Sequence, residues 1–255
     1  EEIGSWVSVQ NIAYLIGPLI GGLLITIYSW PIVFYLGSIF SLVSFFYASF
    51  KLSDAPVSDG KPLSLRIQWR SFFKNKSSSV RLITLTLINT LIISSFGNFL
   101  PIHLEANSVS ISEIGLLFAI ASTIPYIVFP VIIGVLSDKY GRKISTLFGL
   151  LFMAYGLISF LNIQSFAQFF FYAFMTYSGY VFVSLSVDAE LNDLLPKSQV
   201  GGFTGLFEMV KDVGYTIGPL LTGLLSAINS INYAFMILAI ISLTSITVLI
   251  GFKDF

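Results

Sequence analysis

The sequence predicts an all-α membrane protein, and three observations predict it. Of its 255 residues, 55% are hydrophobic and only 10% are charged, and the mean hydropathy is +0.88. Soluble domains carry about 25% charged residues. Eight continuous apolar stretches follow one another, each near the roughly 20 residues that cross a bilayer core of roughly 30 Å as a helix. Lysine and arginine in the connections fall only in alternate ones. Backbone polar groups find no water partner in lipid, so such spans must be helices. A closed barrel would need shorter, alternating strands.

The eight predicted transmembrane helices cover 6–28, 32–50, 82–104, 112–137, 144–163, 166–187, 200–227 and 231–252. Seven basic residues lie from Lys51 to Arg81, and Lys139, Arg142 and Lys143 lie between the fourth and fifth spans. Lys197 precedes the seventh span, Lys211 lies inside it, and Lys253 follows the eighth. The connections after the first, third, fifth and seventh spans carry no basic residue. Positive loops mark the cytoplasmic side. Both termini of this chain are therefore expected in the cytoplasm, with the protein multi-pass in the plasma membrane. The long connection, 51–80, is polar and serine-rich. Its part from 65 to 74 mixes aromatic and basic residues, which suits either a helix lying on an anionic leaflet or a flexible cytoplasmic linker.

Composition also excludes. Net charge is zero and no basic patch stands outside the loops, so no nucleic-acid partner is expected. There is no cysteine, hence no disulfide or thiolate chemistry. His103 is the only histidine, and no nucleophile–base pair, metal cluster or phosphate loop is apparent. No enzyme activity, cofactor or metal is expected.

The first and seventh spans repeat one another. Tyr14-Leu-Ile-Gly17-Pro18 continues to Gly21-Gly22, and Tyr215-Thr-Ile-Gly218-Pro219 continues to Thr222-Gly223. Gly4 and Ala13 match Gly205 and Gly214. Each pair lies 201 positions apart, as Tyr14 and Tyr215 do. Six spans separate the copies, as duplication of a six-helix unit would leave. The expected organisation is therefore two helices of an incomplete N-terminal six-helix bundle over 1–50, the linker over 51–80, and a complete C-terminal six-helix bundle over 81–255. The chain begins at Glu1 and reads as a piece whose first four helices are missing. Ala13, Gly17 and Gly21 share one helix face, as do Gly214, Gly218 and Thr222, and small residues at that spacing let two backbones approach in lipid. Pro18 and Pro219 bend their helices. Pro125 and Pro130 are expected to kink the fourth span.

The connection between the fourth and fifth spans reads Gly134-Val-Leu-Ser-Asp138-Lys139-Tyr-Gly141-Arg142-Lys143. This string resembles the G-x-L-x-D-(R/K)-x-G-R-(R/K) loop motif of the major facilitator superfamily. The first span resembles the fifth-helix motif of that superfamily's proton-coupled antiporters at Gly4, Gly17, Pro18, Gly21 and Gly22, with Ala13 replacing a glycine. The resemblance covers the whole chain as the family's fifth to twelfth helices. It implies two bundles around a central cavity with alternating access by rocking. It further implies that the third and sixth spans line the cavity, that the first, fourth and seventh form the interface between halves, and that the second, fifth and eighth face lipid. It places Asp138 at the start of the first span and pairs Arg142 with Glu190, beside Asp188.

Two polar stripes are candidate linings of a substrate cavity: Asn89, Thr90, Ser94 and Asn98, with Thr86, on the third span, and Tyr172, Thr176 and Tyr180, with Gln168 and Ser184, on the sixth. Helix–helix hydrogen bonding is the alternative for both. Neither stripe contains Lys, Arg or His, and the tyrosines suit a neutral or cationic amphiphile. Glu208, Lys211 and Asp212 are the charges well inside a span. Glu208 or Asp212 is the candidate carrier of a coupling proton, the alternative being a network that holds the cytoplasmic side together. Three functions follow: proton-gradient-driven export of small amphiphilic compounds, uptake of a sugar or similar polar nutrient, or a truncated product that does not transport.

Overall fold

The computed structural model describes residues 2–51, 76–161, 165–194 and 200–251. Eight helices occupy them: α1 (Glu2–Ile27), α2 (Trp30–Lys51), α3 (Lys76–Ala106), α4 (Ile111–Tyr140), α5 (Arg142–Ser159), α6 (Phe166–Leu194), α7 (Val200–Ile228) and α8 (Ile231–Gly251). They fall at all eight apolar stretches. The basic aromatic segment 65–74 lies outside the described residues. Helices α2, α3, α4, α6 and α8 are long and apolar enough to cross a membrane by length and composition. In α1 that apolar character holds over the shorter Ile12–Ile27. Helix α5 has 18 residues and opens on Arg142 and Lys143, and Glu208, Lys211 and Asp212 lower the hydropathy of α7.

Helices α3 to α8 pack side by side, chiefly α5 on α6, α3 on α7, α4 on α6 and α5 on α8. Apolar surface alone cannot select these neighbours in lipid, so small residues and buried hydroxyls do. A Cβ on Gly149 would stand 2.8 Å from the Gly179 carbonyl oxygen, and one on Gly179 would stand 2.5 Å from the Gly149 carbonyl oxygen. Ser186 donates to Ser145 across the same seam at 2.7 Å, and Ser242 of α8 donates to the Leu150 carbonyl at 2.8 Å. The core between α3, α5, α6 and α8 is aromatic. Phe96, Phe160, Phe235 and His103 meet at centroid separations of 5.3 to 5.8 Å, edge to face except for the tilted Phe96–Phe235 pair. His103 is buried as one ring of that cluster.

Helix α1 docks on α4 where Gly22 meets Gly115; a Cβ on Gly115 would lie 2.6 Å from the Pro18 carbonyl oxygen. Helix α2 touches α1 and has no buried residue. Helices α5 and α8 each bury one face and expose the other, with Phe148, Leu151 and Tyr155 outward on α5 and Ile240, Leu243 and Ile250 outward on α8.

Helix α4 starts at a capping box. Glu113 N–H donates to Ser110 Oγ at 3.4 Å, and Ser110 N–H donates to Glu113 Oε2 at 3.0 Å. Ser110→Ala is expected to cost about 1 kcal/mol, read as a lower unfolding midpoint in detergent. Gly141 closes α4 and opens α5 at φ +92°, a backbone that other residues adopt only with strain.

Candidate functional site

A cavity of about 630 Å³ lies between α1, α3, α4, α6 and α7. Tyr14 reaches it from α1, Ile93 from α3, Ser122, Thr123, Tyr126 and Pro130 from α4, Tyr177, Tyr180 and Leu185 from α6, and Tyr215 from α7. The Tyr180 and Tyr215 hydroxyls are 2.9 Å apart, and the Tyr126 and Tyr180 rings meet edge to face at 6.1 Å. The lining residues include no Asp, Glu, Lys, Arg or His. Thr123 is buried, and its Oγ1 has no hydrogen-bond partner among the described residues. An unpartnered hydroxyl in such a wall is where a polar group of a bound molecule gains most.

Of the seven sequence-predicted cavity residues, Tyr180 lines this space. Thr176 is packed against Gly156 and bonds back to the Tyr172 carbonyl at 3.0 Å. Tyr172 lies against Tyr155 and Phe160. Ser94 donates to the Gly214 carbonyl of α7 at 3.3 Å, and Asn98 donates to the Ser94 carbonyl at 2.8 Å. Asn89 and Thr90, with Thr86, border a second cavity of about 10 Å³ beside Ser184, Asp188 and Lys211. The α3 stripe thus joins helices and frames the small cavity. Tyr14 of α1, Tyr126 of α4, Tyr177 of α6 and Tyr215 of α7 are the tyrosines that the stripes missed. Tyr14 and Tyr215 carried a signal: they head the two copies of the repeat.

The copies of the repeat are used differently. Gly214 and Gly218 lie against α3 so closely that a Cβ on either would overlap Thr90 or Ser94. A Cβ on Gly17 or Gly21 would meet nothing within 4 Å, and Ala13 is exposed. Gly22 takes the contact with α4, while Gly223 stands near Phe99. Pro18 and Pro219 lie inside α1 and α7. Gly205 has open space around it, and the surroundings of Gly4 lie outside the described residues.

Toward its C-terminal end, α6 presents Asp188, Glu190 and Asp193, each to a cation from another element. Lys211 Nζ lies 3.4 Å from Asp188 and 2.9 Å from Glu208. Arg142 lies 3.0 Å from Asp138 and 3.3 Å from Asp193, and also donates to Ser137. Arg81, which is 1% exposed, pairs with Glu190. The pairing expected between Arg142 and Glu190 is therefore replaced: Glu190 turns inward to Arg81 of α3, and Asp193, nearly one turn on, meets Arg142. Lys139 lies 5.1 Å over the Tyr140 ring, Lys143 opens α5, and Gly134 has open space around it. The contact expected between Asp138 and the start of α1 falls on residues whose surroundings lie outside the described ones. Asp212 is exposed, and its backbone carbonyl accepts from Thr216.

The chain matches the family model of the Major Facilitator Superfamily in two overlapping stretches, residues 2–107 and 82–254. An uncharacterized MFS-type transporter of the archaeon Methanocaldococcus jannaschii is 27% identical over 161 residues, which cover 62% of this chain and 41% of that protein. The paired glycine-proline helices, the Gly134–Lys143 turn and the cavity between helices are parts of one architecture: the chain belongs to the major facilitator superfamily.

Proposed function

We propose that this chain forms part of a secondary transporter that exports small amphiphilic compounds against a proton gradient by alternating access. All eight helices cross the plasma membrane in this reading, both ends of the chain lie in the cytoplasm, and four further helices complete the cavity. The observation that carries it is the uncharged wall of five tyrosines with the unpartnered Thr123 hydroxyl. Such a wall favours an aromatic or lipophilic cation over an anion, because ring faces attract cations while no fixed positive charge is present. The proton is assigned to the charged group around Lys211, where Glu208 of α7 is joined by Asp188 of α6; Asp212, the other candidate on α7, stands outside that group.

Binding tests the substrate class. Ethidium, added to the purified protein, is expected to bind, and Tyr180→Ala is expected to weaken it about 5–30-fold, the equivalent of about 1–2 kcal/mol for a desolvated ring–cation contact. Tight binding of a sugar with none of ethidium would favour the uptake reading instead. Topology has its own test. Because the chain has no cysteine, cysteines introduced at Lys139 and at Asn107 report their sides individually. A membrane-impermeant maleimide added outside intact cells is expected to label Asn107→Cys and spare Lys139→Cys; the reverse pattern would invert the orientation.

A further inference from the structure

We infer that Asp188 is the residue that takes up the coupling proton, in a pocket about one water in size between α3, α6 and α7. The inference rests on the proposed proton-coupled reading and narrows it to an atom.

Lys211 Nζ stands 2.9 Å from Glu208 Oε1 and 3.4 and 3.5 Å from the two Asp188 oxygens. Two carboxylates share one ammonium, so the group carries one uncompensated negative charge, and a single proton makes it neutral. The two acids are not equivalent. Glu208 is 56% exposed and holds the shorter contact, whereas Asp188 is 38% exposed and holds the longer one. Asp188 has less water and the weaker partner, so its charge is the costlier one to keep.

The pocket supplies the second observation. Thr86 and Asn89 of α3 are 4% and 2% exposed, and Thr86 Oγ1 and Asn89 Oδ1 have no hydrogen-bond partner among the described residues. Both residues border, with Asp188, the cavity of about 10 Å³. That is about the room of one water, and buried polar atoms of this kind are what such a water serves. The groups near Asp188 are Lys211 and Glu208 from α7, Thr86, Asn89 and Thr90 from α3, Tyr126 from α4, and Ser184 and Tyr180 on its own helix; none of these from α3 or α4 is charged.

The position also couples to the substrate cavity. Tyr180, Ser184 and Asp188 lie four apart on α6, as Lys211 and Tyr215 do on α7. The α6–α7 joint is thus fastened twice, by Tyr180 to Tyr215 in the cavity wall and by Asp188 to Lys211 below it. A molecule in the cavity loosens the first fastening. A proton moving from water to an Asp188 oxygen loosens the second, while Lys211 keeps its charge and its bond to Glu208. Proton and substrate therefore act on the same joint.

The test is the pH dependence of ethidium affinity in the purified full chain and in vesicles carrying it. One coupled proton changes affinity by up to tenfold per pH unit. The wild type is expected to bind ethidium more weakly as pH falls, and Asp188→Asn to flatten that profile, whereas Glu208→Gln keeps it. A wild type without pH dependence overturns the proton-coupled reading and this inference with it. A pH-dependent wild type matched by an equally pH-dependent Asp188→Asn overturns the inference alone. Asp188→Asn already leaves Glu208 and Lys211 as a neutral pair, and Asp188→Glu, which returns a carboxylate, guards against misfolding: a restored pH profile supports the proposal, and a profile that stays flat reduces Asp188 to a structural tie. Loss of the pH effect on replacing sodium by choline overturns it in favour of a sodium site.

Discussion

Arg81→Ala is expected to be the most damaging single change in the chain. Arg81 is 1% exposed and its partner Glu190 is 14% exposed, so truncation leaves a carboxylate inside the helix bundle without its counter-ion. Breaking a buried pair in this way costs about 3–5 kcal/mol. The unfolding midpoint in detergent is expected to fall sharply, with loss of the α3–α6 contact near the end of each helix. Arg81→Met/Glu190→Leu is expected to recover most of that loss, because a well-packed apolar pair replaces a buried ionic one at little cost. Arg142→Ala gives the contrast. Its partners Asp138 and Asp193 are 71% and 62% exposed, and exposed pairs contribute about 0–1 kcal/mol. Equal losses at Arg81 and Arg142 would contradict the burial argument.

Gly218→Val is expected to separate α7 from α3. The added carbon atoms would overlap Ser94 Oγ and the Leu91 carbonyl, and relieving them means moving one helix backbone from another. Overpacking of this kind costs about 1–3 kcal/mol or more. The related position in the repeat, Gly17, has nothing within 4 Å of its Cβ. Gly17→Val is expected to leave the stability of this 255-residue chain nearly unchanged. In a longer protein whose further helices cover α1, the same substitution becomes as harmful as Gly218→Val. Thermal unfolding of the two variants, in both settings, measures the difference.

Much of the fold was legible in the sequence because lipid leaves so few choices. Each apolar stretch had to be a helix, and all eight helices lie where the stretches do. The tight turn at Gly141 was legible as well, since the loop motif marked it. Which helix faces which was less so. The α5–α6 seam rests on Gly149, Gly156 and Gly179, whose close approach to the facing backbone depends on how two helices are rotated, and single-chain spacing does not report that. The cavity illustrates the same limit. Polar stripes on α3 and α6 suggested its lining, yet Thr90, Ser94 and Thr176 are spent on backbone carbonyls. In an apolar medium a short hydroxyl satisfies itself on the nearest helix turn, whereas tyrosine is long enough to reach the space between helices. Tyr126 and Tyr177 were therefore hidden among 12 tyrosines, and proximity in three dimensions selected them, while for Tyr14 and Tyr215 the repeat was the one signal. Likewise the partner of Glu190 followed from the inward tilt of one side chain, which charge counting along the chain does not reveal.

The measurement that tests the central claim most directly is ethidium flux in proteoliposomes that hold the protein with an imposed pH gradient. The account predicts accumulation that depends on the gradient, collapses when a protonophore is added, and falls with Tyr180→Ala. Flux that is indifferent to the protonophore and to Tyr180 would contradict it.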